Sequence, residues 1–344
     1  MVNSWTSVTS GIPQRSVLGP LLFVIYINDM PDNITSDIFL FADDTKLFNS
    51  TSNSDNSQVL QDDLNKLLEW SDKWLLHFHP EKCTVLDIGI HERTQYDYYL
   101  GDVKLKHNTS EKDLGVHVDS KLKFDSHIST KINKANNILG AIRRGFAFLN
   151  ETSLLQLYTS LVRPHLEYAN PVWSPKYIRD INSIENVQRR ATKMIPEIRD
   201  LPYEDRLKHL KLPSLAYRRI RGDMIETFKI LNNIYDNKVS KFLPLHRDSV
   251  ANPSKVRGHS KKLHKKKHSI KLRKQFFSLR IVDMWNSLPE KIVSSPSTNS
   301  FERRLDKFWS AQDIKYNYHA KLKILHTNNA PYNPDSGSED RDEG

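Results

Sequence analysis

Asp43 and Asp44 are the side chains in this sequence best placed to do chemistry. They stand together between the apolar run Ile38–Ala42 and the apolar pair Leu47 and Phe48, in the stretch DIFLFADDTKLF. Mg²⁺ takes hard oxygen ligands, and two such ions can clamp an in-line phosphoryl displacement. The elements that must position the acids are two strands of a hairpin, because short β-branched and aromatic runs broken by an Asp pair read as strand, bend and strand. Side chains alternate along a strand, so one acid would face the metals and the other would lie aside. A third carboxylate must then come from elsewhere. The same pair also fits a bend chosen for turn chemistry alone.

Upstream stands SGIPQRSVLGPLLFVIYINDMP, Ser10 to Pro31. Together with FADDTKLF it resembles the reverse transcriptases of non-LTR (LINE-type, jockey/CR1-like) retrotransposons. Their pattern is an SGVPQGSVLGP loop, an apolar helix ending in Asn-Asp, and a (Phe/Tyr)-Ala-Asp-Asp hairpin. The resemblance implies an RNA-directed DNA polymerase that uses Mg²⁺ or Mn²⁺, with an RNA template and a DNA primer as partners. It makes Asp43 the principal metal-binding aspartate and Asp44 its companion. Gly11, Pro13 and Gln14 match the loop that shapes the nucleotide site, and Phe41 matches the aromatic position beside the primer end. Gly and Pro before a helix fit this reading, since the free N–H groups at a helix start attract phosphate. Lys82, in HPEK, would protonate the leaving pyrophosphate, or else is a solvated lysine at a strand start. Leu114 and Gly115, in LGVHVDSKLKFDSHI, match the primer-grip region.

Two departures matter. Arg15 replaces the glycine after Gln14; a large cation there would obstruct the nucleotide site, or would contact template or triphosphate. The family's first catalytic aspartate lies on a strand before the loop, whereas MVNSWTSVT holds no acid. The expectation is therefore a C-terminal fragment of a polymerase, inactive by itself. It competes with a decayed retroelement remnant that only binds nucleic acid.

Bulk properties agree with a polyanion partner. The 344 residues carry a formal net charge of +10, and nucleic acid is the commonest partner of such a chain. The single cysteine, Cys83, excludes a disulfide framework and a Cys-rich zinc knuckle, and its apolar context reads as a small hydrophobe. There is no run of eighteen apolar residues and no basic-then-apolar leader, so no membrane partner is expected. An intracellular, nuclear location is expected; the oligomeric state stays open.

The fold class expected is α+β. A partial polymerase palm, an antiparallel sheet with helices, spans 1–120. It includes an apolar helix over 17–29 beneath the hairpin, a Ser/Asn loop at 49–57, and a helix with Leu60, Leu64, Leu67, Leu68, Trp74 and Leu75 on one face. A mostly α-helical thumb and connection follows over 121–245, with one helix at 124–149 and a second at 152–162 stopped by Pro164. Tyr168 and Trp173 are expected to be buried beyond it. Arg189, Arg190 and Lys193, then Arg218, Arg219 and Arg221, read as solvated or phosphate-touching helix faces. Residues 255–274 carry ten Lys/Arg and no acid. The segment 246–274 reads as a basic flexible linker that binds nucleic acid through Lys261, Lys262, Lys265, Lys266 and Lys267, and it also fits a nuclear localisation signal. A C-terminal helical trailer (275–330) and an acidic disordered tail (331–344) complete the chain.

Overall fold

The computed structural model describes residues 16–50, 54–89, 96–146, 149–235, 237–249, 258–266 and 271–324. It divides into two units: Met1–Asp113 with Val118–Leu122, and Leu114–His117 with Lys123–Gly344.

In the first unit, helix α1 (Leu18–Tyr26) precedes a hairpin of β1 (Asp37–Phe41) and β2 (Asp44–Phe48), followed by the long helix α2 (Ser54–Trp74). The short strands β3 (Thr84–Leu86), β4 (Tyr99–Leu100), β5 (Val103–Lys104), β6 (Lys106–Asn108) and β7 (Ser110–Asp113) come next, and then β8 (Val116–Asp119), of which only Val118 and Asp119 belong to this unit. They make four two-stranded sheets, β1–β2, β3–β6, β4–β5 and β7–β8. The β3–β6 pair is parallel, so the single antiparallel sheet expected from the sequence is absent among the described residues. Residues 54–57 form the first turn of α2 instead of extending the loop, with Ser57 buried.

Two small cores hold this unit. Ile27, Met30 and Leu67 gather Phe23, Ile38, Leu40, Leu47 and Trp70. Tyr98, Leu100 and Leu105 gather Leu60, Leu64, Leu68 and Cys83. Helix α1 packs through Phe23, and through Ile27 just beyond its end, while Leu18, Leu21, Leu22, Ile25 and Tyr26 are exposed. The spacing of these five exposed residues predicts that they form the face packed beneath the hairpin, and the structure reverses it. A helix apolar all round offers no spacing from which to choose its inner face. Leu75, expected on the α2 face, lies past the helix end with φ +54° and is exposed.

The second unit is helical. It runs α3 (Asp125–Gly145), α4 (Glu151–Leu157), a π turn (Tyr158–Val162), α5 (Arg163–Glu167), α6 (Asn170–Trp173), α7 (Ile178–Thr192), α8 (Tyr203–His209) and α9 (Leu215–Leu231). Then come α10 (Asn237–Ser240), α11 (Phe277–Arg280), α12 (Val282–Asn286), α13 (Glu290–Val293) and α14 (Thr298–Phe308). Of the apolar stripe that the spacing predicts on α3, Ile128, Ile132, Ala135, Ile138, Leu139 and Ile142, the structure buries Ile128, Ala135, Leu139 and Ile142 and leaves Ile132 and Ile138 half-buried. The helix ends at Gly145, and Phe146 after it is extended.

Pro164 does not end the helix before it. The Arg163 N–H donates to the Tyr158 carbonyl across five residues, and this wider turn lets the helix resume with proline in its first turn, where the missing N–H is least costly. One large core joins α9 to the C-terminal helices through Met224, Phe228, Trp285, Phe301, Leu305 and Trp309. The stretch FFSLRIVDMWNSLPEKIV (276–293), whose apolar spacing predicts one helix, is instead several short ones, α11 to α13. Beyond Pro164, Trp173 is buried as expected, while Tyr168 is 52% exposed.

Buried charge organises this unit. The Arg280 guanidinium donates to both oxygens of Asp223 at 2.8 Å and to the Asn170 and Pro171 carbonyls at 3.2 and 3.1 Å. Glu185 accepts from the Leu215 N–H at the start of α9 and from the Tyr203 hydroxyl at 2.7 Å. Arg218 pairs with Glu167, and Arg221 with Asp306 and Glu302. Arg219 is buried beside Glu185 and Asp223. The three arginines expected as an outer basic face are therefore internal ties. Arg189 lies over the rings of Tyr203 and Tyr318, and Arg190 donates to Asn136.

Candidate active site

The hairpin register pairs Phe41 with Asp44, leaving Ala42 and Asp43 as a two-residue turn. Ala42 has φ +52°, and a left-handed first central residue belongs to the primed turns whose twist matches a hairpin. Glycine is the usual occupant of such a position. An alanine there stores about 1 kcal/mol of strain, the kind that collects at functional turns. Ala42→Gly is expected to stabilise the hairpin by about 0.5–1 kcal/mol, read as slower hydrogen exchange at the β1 and β2 amides. Exchange as fast as in the wild type would mean that the turn carries no strain.

Both acids at this tip are exposed. Strand alternation sends Ile38 and Leu40 to the core, and leaves Phe39, Phe41 and Phe48 on the open face, where the Phe39 and Phe48 rings meet edge-on at 5.5 Å. Phe41 thus stands exposed on the strand that leads to the acids.

Three contacts set the hairpin in place. The first is Asp63, fully buried on α2, whose carboxylate accepts from the Thr35 N–H at 3.1 Å and the Ser36 N–H at 2.7 Å just before β1. Burial alone would raise its pKa, but Lys66 at 2.7 Å and the two amides outweigh that and hold it below the usual carboxylate range. The second is Lys46 of β2, which pairs with Asp113 of β7. The third is indirect and ties together the helices on either side of the hairpin in sequence: Asp29, which follows α1, accepts from the Trp70 indole of α2 at 2.9 Å.

The donor set suits a divalent ion in kind: two adjacent, exposed carboxylates with hard oxygens. Among the described residues, no group of three or more His, Cys, Asp or Glu side chains is brought together. Gly11, Pro13 and Gln14, with Arg15, lie outside the described residues. Lys82 is exposed at the end of a 3₁₀ turn (Pro80–Lys82) that precedes β3. Cys83 is half-buried, and burial pushes its thiol pKa up, which fits a packing role and not a nucleophile.

Leu114 and Gly115 form another two-residue turn, both with positive φ (+44° and +81°), and belong to the second unit. The basic segment, expected to be flexible, is folded over residues 258–266. Leu263 is buried, its N–H and carbonyl are both bonded to the Asn286 side chain, and it bridges Leu245. The reason is one apolar residue within the cations, which gives the segment an anchor. Lys261 donates to Asn232 at 2.5 Å and Lys265 to Asp283 at 2.6 Å. Lys267, like the acidic tail, lies outside the described residues.

Sequence reasoning missed Asp63, Glu185 and Gln188, all fully buried. Each sits three or four residues from apolar neighbours on the inward face of its helix, such as Leu60 and Leu67 for Asp63. That spacing is the signal that could have singled them out.

Residues 3–118 match the family described as "Reverse transcriptase (RNA-dependent DNA polymerase)". The chain is 28% identical over 278 residues to the RNA-directed DNA polymerase from mobile element jockey of Drosophila funebris, covering 75% of this chain and 29% of that protein. It is 26% identical over 202 residues to the probable RNA-directed DNA polymerase from transposon X-element of Drosophila melanogaster, covering 55% of this chain and 22% of that protein. The similarity thus spans less than a third of the length of these curated relatives. No solved structure matches the chain. No helix among the described residues is long and apolar enough to cross a membrane. With the acid pair at the tip of a hairpin inside the matched region, residues 3–118 match the reverse transcriptase family, and the chain is similar in sequence to RNA-directed DNA polymerases of mobile elements.

Proposed function

We propose that the chain is the C-terminal part of a non-LTR retrotransposon's RNA-directed DNA polymerase. In this reading residues 16–119 are part of the palm and the helical unit after them is the thumb and trailer. Asp43, with Asp44, holds a divalent ion that stabilises the charge developing on the transferred phosphoryl group when it is bound. The observation that carries the reading is the exposed Asp43–Asp44 pair at a tight hairpin turn with Ala42 left-handed, the far end of β1 being anchored by buried Asp63. A third carboxylate, and the loop of Gly11, Pro13 and Gln14, complete the site in the whole enzyme. Phe41 lines the primer end, Lys82 supplies a proton to the leaving group, and the Leu114–Gly115 turn meets the primer strand. The cations of the 258–266 segment, together with Lys267, contact phosphate, and RNA template and DNA primer are the partners.

The test uses the full chain with Mn²⁺ as the probe. Paramagnetic broadening of amide signals at Phe41–Thr45 on titration, absent in Asp43→Asn, is the expected result. No broadening at the hairpin in the wild type would overturn the metal assignment. Primer extension by the chain alone is expected to be absent, while RNA–DNA hybrid binding is retained and weakens with salt. Synthesis that Asp43→Ala abolishes would show instead that the chain holds a complete site.

A further inference from the structure

Among the cations of the 258–266 segment stands a hydroxyl that the proposed function does not use. Gly258, with φ +104°, leads the chain onto α12 and the start of α13. Buried His259 donates through Nε2–H to the Trp285 carbonyl at 3.0 Å, and the Trp285 indole donates to the Lys261 carbonyl at 2.8 Å. Between these two, Ser260 is exposed. Its N–H and its hydroxyl each donate to one oxygen of the Glu290 carboxylate, at 2.6 and 2.8 Å.

That seat holds only while Ser260 is a donor. A phosphorylated serine carries a charge of about −1.5 to −2 near neutral pH and offers acceptor oxygens alone, so beside a carboxylate it repels. The sequence supplies the other half of a modification site. In RGHSKK, Arg257 stands three residues before the hydroxyl, and Lys261 and Lys262 follow it directly. Basophilic serine/threonine kinases select their substrates by such flanking cations, which complement acids in the kinase cleft.

We propose that Ser260 is a phosphorylation site for a basophilic serine/threonine kinase, and that the phosphate releases residues 259–263 from α12 and α13. The Ser260 hydroxyl oxygen attacks the γ-phosphorus of ATP. The new O–P bond replaces the bond to the β-phosphate oxygen, ADP leaves, and the hydroxyl proton passes to the kinase's base. The phosphate then faces Glu290, both Ser260 bonds to that carboxylate are lost, and Leu263, held at its N–H and carbonyl by Asn286, is freed. The added charge also opposes nucleic-acid binding by the neighbouring lysines. That last effect rests on the polymerase reading above; the modification and the release do not.

The test treats the full chain with protein kinase C and ATP, alongside Ser260→Ala, which keeps every other hydroxyl. Mass spectrometry is expected to place phosphate on Ser260. The Leu263 amide is expected to exchange about tenfold faster in the treated wild type than in treated Ser260→Ala. Glu290→Gln keeps an acceptor without the charge, and there phosphate on Ser260 should leave Leu263 exchange unchanged. A labelled RNA–DNA hybrid should bind the treated wild type about tenfold more weakly than treated Ser260→Ala.

A Ser260 without phosphate overturns the site. Equal Leu263 exchange in the two treated chains overturns the release, and faster exchange in phosphorylated Glu290→Gln overturns charge repulsion as its cause. Hybrid binding indifferent to the phosphate overturns the effect on nucleic acid. A wild-type chain that never binds the hybrid removes the polymerase reading and leaves the phosphorylation and release to be judged on the first two measurements.

Discussion

Asp63→Ala is expected to cost the hairpin-bearing unit about 3 kcal/mol, because it strands the buried Ser36 amide and the Thr35 amide beside it without their acceptor, and removes the partner of Lys66. The side chain does for β1 what a cap does for a helix: it accepts from the two N–H groups immediately before the strand begins. The loss should appear as a lower urea midpoint for this unit, with faster exchange at the β1 and β2 amides. Because β1 leads directly into the turn that holds Asp43, loosening β1 should also weaken Mn²⁺ broadening there.

The pH dependence follows from the lowered pKa of Asp63. A carboxyl depressed in the folded state contributes stability above its unfolded pKa, and that stability drains away as pH falls through the folded value. Asp63→Ala should therefore flatten the acid limb of the unfolding profile. An unchanged midpoint together with an unchanged acid limb would show that the carboxylate does not anchor the strand.

Acidification should unfold the helical unit through His127. The imidazole is fully buried, its ring lies 4.9 Å from that of Trp173, its Nδ1 accepts from the His117 N–H, and its Nε2 has no hydrogen-bond partner among the described residues. Burial, then the charges of Lys131 and His117, push its pKa down to about 4 from an ordinary 6.5. The unfolded chain takes up this proton as pH drops through 6.5, and the folded chain resists until about 4. The stability from keeping His127 neutral is thus complete above pH 6.5 and is lost across that window, by about 3 kcal/mol at pH 4. His127→Asn retains an acceptor for His117 but does not titrate. The difference in urea midpoint between pH 7 and pH 4.5 should shrink in this variant, and an equal pH dependence in the two chains would assign the acid sensitivity to other groups.

The readable parts of the chain were those where period and burial coincide. The strand–bend–strand pattern around Asp43 and Asp44 is seen with the acids at the bend, because alternation on a two-stranded hairpin depends only on neighbouring residues. The α3 stripe was legible for the same reason. The inner face of α1 was not, because all its faces are apolar.

Nor could composition reveal that Arg218, Arg219 and Arg221 face inward. Their partners Glu167, Glu185 and Asp306 are distant in sequence, and an arginine on a helix looks the same whether it meets water or a carboxylate. The basic segment misled in the same way. Ten cations without an acid suggest a solvated strand, yet Leu263 and the side chains of Asn286 and Asp283 give part of it a seat. The metal-binding role proposed for the acid pair draws on their place in the hairpin and on the family match; side-chain geometry adds the anchor at the start of β1.

Leu154, Tyr158, Val162 and Leu166 are all buried and spaced four residues apart. In a regular α-helix each such step overshoots a full turn by about 40°, so a row of four would swing about 120° around the axis. The π turn at Tyr158–Val162 winds more loosely in the middle of that row. It works as a phase correction, spending one extra residue so that side chains a constant four apart stay aligned. A stretch of this sequence that keeps an integer period of four is thereby a written record of a helix that is locally unwound, and the proline at its far edge marks where ordinary winding resumes.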